Sequence, residues 1–99
     1  MVRSGRVVAV TGGSGGIGFA IARRRAALGD QVLITGRRLG PLQSAAAAIG
    51  PQASALVSDS ADPASAEQVV AAAVDRCGRL DVVIATAAHV QALEREGRA

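Results

Sequence analysis

The chain has 99 residues, formal net charge +3, 49% apolar residues and a single aromatic, Phe19. One cysteine, Cys77, excludes an internal disulfide, and the sequence shows no His/Cys cluster of the kind that holds zinc. The eleven basic residues are all Arg and mostly scattered, without the dense basic stripe and stacking aromatics of a nucleic-acid binder.

Met1 to Arg6 leads into an apolar run too short for a signal-peptide core, and no segment approaches a membrane span. A cytoplasmic protein is the resulting expectation. Residues 6–11 read as a first strand, buried on both faces because its apolar residues run without interruption. Five glycines then fall within the seven residues from Gly12 to Gly18. A helix is predicted over 16–28, with Gly29 as its stop. Its apolar stripe is Ile17, Ala20, Ile21 and Leu28, which also carries Arg24. That guanidinium must therefore reach an edge or find an acid such as Asp30. Phe19 falls on the outer side.

Residues 31–36 form a second buried strand around Val32, Leu33 and Ile34. A short helix over 41–49 follows, with Pro41 in its first turn and Gly50 just past its end. Residues 53–58 are a weaker third strand. Asp62 and Pro63 cap and open a third helix, whose apolar face is Val69, Val70, Ala73, Val74 and Cys77. Gly78 ends it, and residues 81–86 make the fourth strand. The polar tail 90–99 adds no element.

Strands and helices alternate with short connections, so right-handed crossovers give a parallel α/β sheet with helices on both faces. The expected architecture is a partial doubly wound Rossmann fold over residues 1–99, with strand order 3-2-1-4. A topological switch point then lies between strands 1 and 4, where ligands bind at the strands' carboxyl ends. The outer edge of strand 4 has no partner and is expected to invite self-association.

Gly13, Gly15 and Gly18 satisfy G-x-G-x-x-G, while Gly12, Gly16 and Gly18 satisfy T-G-x-x-x-G-x-G. A strand precedes the loop, a helix follows it, and the second strand ends about 20 residues further on. That context identifies a dinucleotide site. A P-loop is excluded because the chain contains no Lys. The tip of the second strand is Gly36-Arg37-Arg38, where an NAD-selective site would place an acid. Guanidinium attracts a 2′-phosphate, so NADP is expected over NAD, with Arg37 as main ligand and Arg38 and Ser14 assisting.

These segments resemble the N-terminal part of the short-chain dehydrogenase/reductase family. Thr11-Gly12 through Gly16-Ile17-Gly18 is similar to that family's cofactor loop, and Leu33 through Arg38 to its NADP-type second strand. Asp59 to Pro63 resembles the segment after strand 3, and Gly78 to Ile84 the entry to strand 4. The resemblance implies hydride transfer between a nicotinamide cofactor and a carbonyl or alcohol substrate in a longer form. It implies cofactor contacts from Gly12, Ser14, Gly16, Ile17 and Gly18, with Asp59 at the adenine and Ala87 toward the nicotinamide.

Two departures bear on function. Ala85-Thr86-Ala87-Ala88 stands where the family usually carries Asn-Asn-Ala-Gly. Gly12, Gly15 and Gly18 also fit T-G-x-x-G-x-x-G, the spacing of the family's extended, epimerase-like branch. The family's proton donor is a Tyr whose pKa is lowered by a Lys four residues later, yet this sequence has no Tyr and no Lys. No catalytic residue is assigned, and these 99 residues are expected to be inactive alone. The leading reading is a partial NADP-dependent oxidoreductase; the alternatives are a non-catalytic nucleotide-binding module or partner subunit, and an extended-type fragment. His89 falls at the mouth of the predicted crevice, as an exposed loop histidine.

Overall fold

The computed structural model describes residues 5–12, 15–59 and 62–85. Seven elements follow one another: β1 (Val7–Thr11), α1 (Gly16–Ala27), β2 (Gln31–Gly36), α2 (Leu39–Ile49), β3 (Ala53–Val57), α3 (Ser65–Cys77) and β4 (Val82–Ile84). All pairings are parallel, and the strands lie in the order β3-β2-β1-β4. This is the partial doubly wound Rossmann sheet expected from the alternation of elements.

Alternate residues of each strand point to opposite faces, and the core accordingly divides in two. On one face Val8, Val10, Val32 and Ile34 pack with Ala22 and Ala26 of α1 and Leu42 and Ala45 of α2. On the other, Val7, Ala9 and Leu33 meet Val69 and Ala73 of α3. Covering on both faces is why β1 and β2 read as uninterrupted apolar runs.

The observed face of α1 differs from the expected one. Gly18, Ala22 and Ala26 are buried, Phe19 and Ile21 pack against the core, and Ile17 and Leu28 are 62% and 50% exposed. Gly18, Ala22 and Ala26 recur every four residues, a row of small side chains that lets the helix lie close on the sheet. Size rather than hydrophobicity sets the phase here. Phe19 is consequently inside the packing, and Arg24 is exposed rather than on the sheet side. Asp30 is 3% exposed and pairs with Arg25, whose Nη2 lies 2.6 Å from Asp30 Oδ2. The alignment is that of an ion pair rather than a hydrogen bond, and Arg25 Nε has no hydrogen-bond partner.

On α3, Val69 and Ala73 are buried and Cys77 is half-buried, as expected. Val70 and Val74, expected on the same face, are 47% and 49% exposed. The helix rests on β1 and β2, and Val83 of the neighbouring β4 is likewise exposed because no described element covers it. The outer edge of β4 has no strand partner among the described residues.

The helix starts are also displaced. α2 begins at Leu39, so Pro41 is its third residue, where a backbone N–H is not yet needed. α3 begins at Ser65 with Ala64 at its N-cap. Asp62 instead closes a turn ahead of it: its Oδ1 accepts from the Ala64 N–H at 2.9 Å and its carbonyl accepts from the Ser65 N–H. β4 spans only Val82–Ile84, and Asp81 just before it joins β1 twice, its backbone N–H donating to the Val7 carbonyl at 2.9 Å while its side chain takes the place of a strand carbonyl. Asp81 Oδ2 accepts from the Val7 N–H at 2.8 Å and from Arg79 Nε at 2.9 Å. Arg79 Nη2 donates to the Gly5 carbonyl, completing a clip between the ends of the two strands.

Replacing Arg25 by Ala leaves the Asp30 carboxylate buried without a counter-ion and should cost about 1–3 kcal/mol by denaturant unfolding. Arg24→Ala should stay within about 0.5 kcal/mol, since it removes only an exposed charge. Equal losses would contradict the pairing. The Asp81 carboxyl is held below its usual 3.8 by the Val7 N–H and then by Arg79. A depressed folded-state pKa adds stability above the unfolded value, and that increment disappears as pH falls through the folded value. Asp81→Asn keeps an acceptor for Val7 but not the charge. Its stability deficit should therefore be steady near neutral pH, begin to shrink as pH falls toward 3.8, and vanish only below the lower folded-state value in urea titrations.

Candidate functional site

The register brings the carboxyl ends of all four strands to one edge of the sheet. Thr11 pairs with Thr35, Gly36 with Val57, and Val10 with Ile84. The residues that follow, Gly12, Arg37, Ser58 and Ala85, therefore stand along that edge in the spatial order Ser58, Arg37, Gly12, Ala85. The Gly12 N–H donates to the Thr35 carbonyl at 2.8 Å, and the Ser58 N–H to the Gly36 carbonyl at 2.8 Å, stitching the edge together.

Between β1 and α1 the backbone turns through Gly12 at φ 72° and Gly16 at φ 58°. Both angles lie in the left-handed region, where a side chain is strained. No atom lies within 4 Å of where a Gly16 Cβ would sit, so the constraint there is the backbone and not crowding. Gly15 is the N-cap of α1, with no side-chain cap and no acidic residue in the first turn. Neither the cap nor the first turn thus supplies negative charge to the N-terminal N–H groups and the helix dipole. Ile17 is exposed at this end and Gly18 is buried against the sheet. Ser14 lies outside the described residues.

At the tip of β2, Arg37 and Arg38 are both exposed, and Arg38 is the N-cap of α2. The first turn of α2 contains no acid, so neither guanidinium is neutralised from that helix. Gly36 sits beneath Leu42: an added Cβ would be 3.3 Å from its Cδ2, which keeps the strand tip narrow where the two arginines emerge. Asp59 follows Ser58 at the end of β3, and its carbonyl accepts from the Asp62 N–H. Ala87 and His89 lie outside the described residues. The structure thus brings Gly12, Gly16, Gly18, Arg37, Arg38 and Asp59 to the same edge of the sheet.

Beneath that edge, on the α3 face, is an open pocket of about 420 Å³. Thr11, Ser58 and Ser65 contribute polar groups to it, and Val69, Val70 and Val83 supply apolar wall. Thr11 Oγ1 contacts the Ile84 carbonyl at 3.4 Å across β1 and β4. The pocket's β1–β4 side, at Thr11, Val83 and Ala85, lies at the switch point expected from the sequence, whereas its extension beneath β3 and α3 was not expected. That extension's one legible signal is the last position of the predicted third strand, Ser58, which shares a face with Leu56 at the ligand-binding end.

The family profile for short chain dehydrogenases matches residues 6–97. The chain belongs to the short-chain dehydrogenase family. Among its relatives, an oxidoreductase of Sarocladium schorii, asL5, is 38% identical over 84 residues, which are 85% of this chain and 34% of that protein. The 3-ketoacyl-(acyl-carrier-protein) reductase of Brucella melitensis, solved with NADH, superposes with a TM-score of 0.75 at 31% identity. That match covers 79% of this chain and 32% of the reductase. A variant of actinorhodin polyketide ketoreductase with NADPH superposes with a TM-score of 0.78 at 32% identity, covering 83% and 33%. The chain spans about a third of the length of the short-chain dehydrogenases it matches.

Gly16→Ala should destabilise the protein by about 1–2 kcal/mol, the cost of a left-handed backbone at a residue with Cβ. Gly15→Ala, at an extended φ of −158° with open space beside it, should cost under about 1 kcal/mol. Thermal or urea unfolding of the two variants separates them; equal losses would mean that the turn is not fixed at Gly16.

Proposed function

We propose that these residues form the adenosine-phosphate half of the nicotinamide dinucleotide site of a short-chain oxidoreductase that prefers NADP to NAD. The observation that carries the preference is the tip of β2, where Arg37 and Arg38 stand exposed with no acid in the adjoining helix turn. A 2′-phosphate would be attracted by both guanidiniums and can be bound bidentately by one.

The fit of a dinucleotide rests on the chemistry of the edge. Gly12 ahead of α1 and Gly16 at its first position leave backbone free of side chains at a helix N-terminus without a side-chain cap, as a pyrophosphate requires, and Gly18 in the first turn lets that helix lie close on the sheet. Ile17 flanks that turn, Ser14 would assist at the phosphates, Asp59 would meet the adenine, and Ala87 would lead toward the nicotinamide. When bound, the nicotinamide accepts or donates hydride; this chain's residues bind and orient its other half.

Carbonyl or alcohol chemistry belongs to the proposal only in a longer form of the protein. The sequence has no Tyr and no Lys, so the acid–base pair of the family has no counterpart among these 99 residues. The same lack favours a second reading, a nucleotide-binding module without catalysis of its own. Both readings require the cofactor to bind.

Titration of NADPH by fluorescence tests the assignment. Arg37→Asp should weaken NADPH binding by tenfold or more, about 1.4 kcal/mol or above, while leaving NADH binding unchanged or stronger. Unaltered NADPH affinity would refute the role of Arg37.

A further inference from the structure

Among the described strands β3 is outermost on one side of the sheet, and its free edge is five residues long against three in β4. Two ladder bonds fix which of its groups face outward. The Val32 N–H donates to the Gln52 carbonyl, and the Ser58 N–H donates to the Gly36 carbonyl. Val32 pairs with Ala53 and Gly36 with Val57, so residues 52, 54, 56 and 58 are the ones that bond to β2. Ala53, Ala55 and Val57 therefore turn their N–H and carbonyl groups away from the sheet.

An edge of this kind is a template for another strand, and proteins blunt it with charge, proline or a bulge. Ala53-Ser54-Ala55-Leu56-Val57 contains no charge and no proline, and its register with β2 runs without a bulge. Val57 at its end is 48% exposed. The first outward donor is met locally, because the Ala53 N–H bonds to the Gly50 carbonyl. At the middle of the edge the charge comes from another element. Arg76, in the last turn of α3, donates from Nη1 to the Ala55 carbonyl at 2.9 Å.

The edge is self-complementary about that point. A second β3 laid antiparallel, on a two-fold axis at Ala55, would set Ala53 opposite Val57 and Ala55 opposite its own copy. The central pair would exchange both N–H to carbonyl bonds, which is the closed, isologous way for two copies to join. It would need the Ala55 carbonyl that Arg76 occupies, and the axis would bring two Arg76 guanidiniums against each other.

We propose that Arg76 closes the outer edge of β3 against pairing with the same edge of a second copy of this chain. The guanidinium takes the central acceptor and sets a like charge where the two copies would meet. Its charge and reach do for β3 what the strand's own side chains do not. The role is independent of the cofactor, since Arg76 stands apart from the glycine turn and from Arg37 and Arg38.

Sedimentation velocity over a range of protein concentrations tests this. Arg76→Ala and Arg76→Met both remove the donor and the charge, and Arg76 is exposed, so neither takes anything from the two cores. For each, the weight-average mass should climb with concentration toward double that of the parent. Adding Val57→Lys, which restores a charge to the same edge, should return the mass to the parent's. Masses that follow the parent's at every concentration would overturn the proposal. So would a rise that Val57→Lys leaves in place, because association through the β4 edge or the exposed valines of α3 does not respond to a charge on β3. A basic residue in the last turn of a helix also complements the helix dipole. If that is all Arg76 does, the variants show a lower thermal midpoint with no change in mass, and the guard is refuted.

Discussion

Parallel strands cannot be joined by a tight turn; each connection must cross a face of the sheet before the chain can pair again. β1 and β2 each satisfy this constraint on both edges, and it is β1 that joins the first of these elements to the last. Its register with β2 on one edge and β4 on the other leaves Val8, Ala9 and Val10 fully buried. Both core clusters draw on it, one through Val8 and Val10, the other through Val7 and Ala9. The glycine turn, the helix that follows and the pocket on the α3 face all take their positions from where β1 ends.

That dependence explains why so much was legible in the sequence. Uninterrupted runs such as Val7 to Val10 and Val32 to Ile34 announce strands covered on both sides, and the glycines and prolines between them fix where the chain turns. Strand order followed from alternation and handedness alone. The turn through Gly12 and Gly16 and the pair Arg37 and Arg38 were readable because those positions owe their character to backbone geometry and charge, which a sequence displays directly.

Packing was less legible. The stripe through Ile17 and Leu28 looked like the buried side of α1, yet Gly18, Ala22 and Ala26 occupy it, because close approach to the sheet rewards small residues over apolar ones. Arg25, not Arg24, meets Asp30 for the same reason: shifting the buried face rotates every charge on the helix with it. On α3 the apolar stripe is broader than the surface that covers it, and Val70 and Val74 remain outside. Ser58 went unread because a lone serine has no pattern; only a buried position without a partner for its hydroxyl distinguishes it.

The clip between Val7, Arg79 and Asp81 joins residues 74 positions apart in the chain. During synthesis β1 emerges first, but the strand that seals its second edge is among the last of these elements to leave the ribosome. Until Asp81 has emerged, β1 can pair on one side only, with β2 and then β3 accumulating beyond it. Among the described strands the sheet therefore grows outward in one direction first, and β4 alone extends it on the other side of β1. Of the sheet's two inner strands, the first to be made is the one that waits longer for its full set of partners.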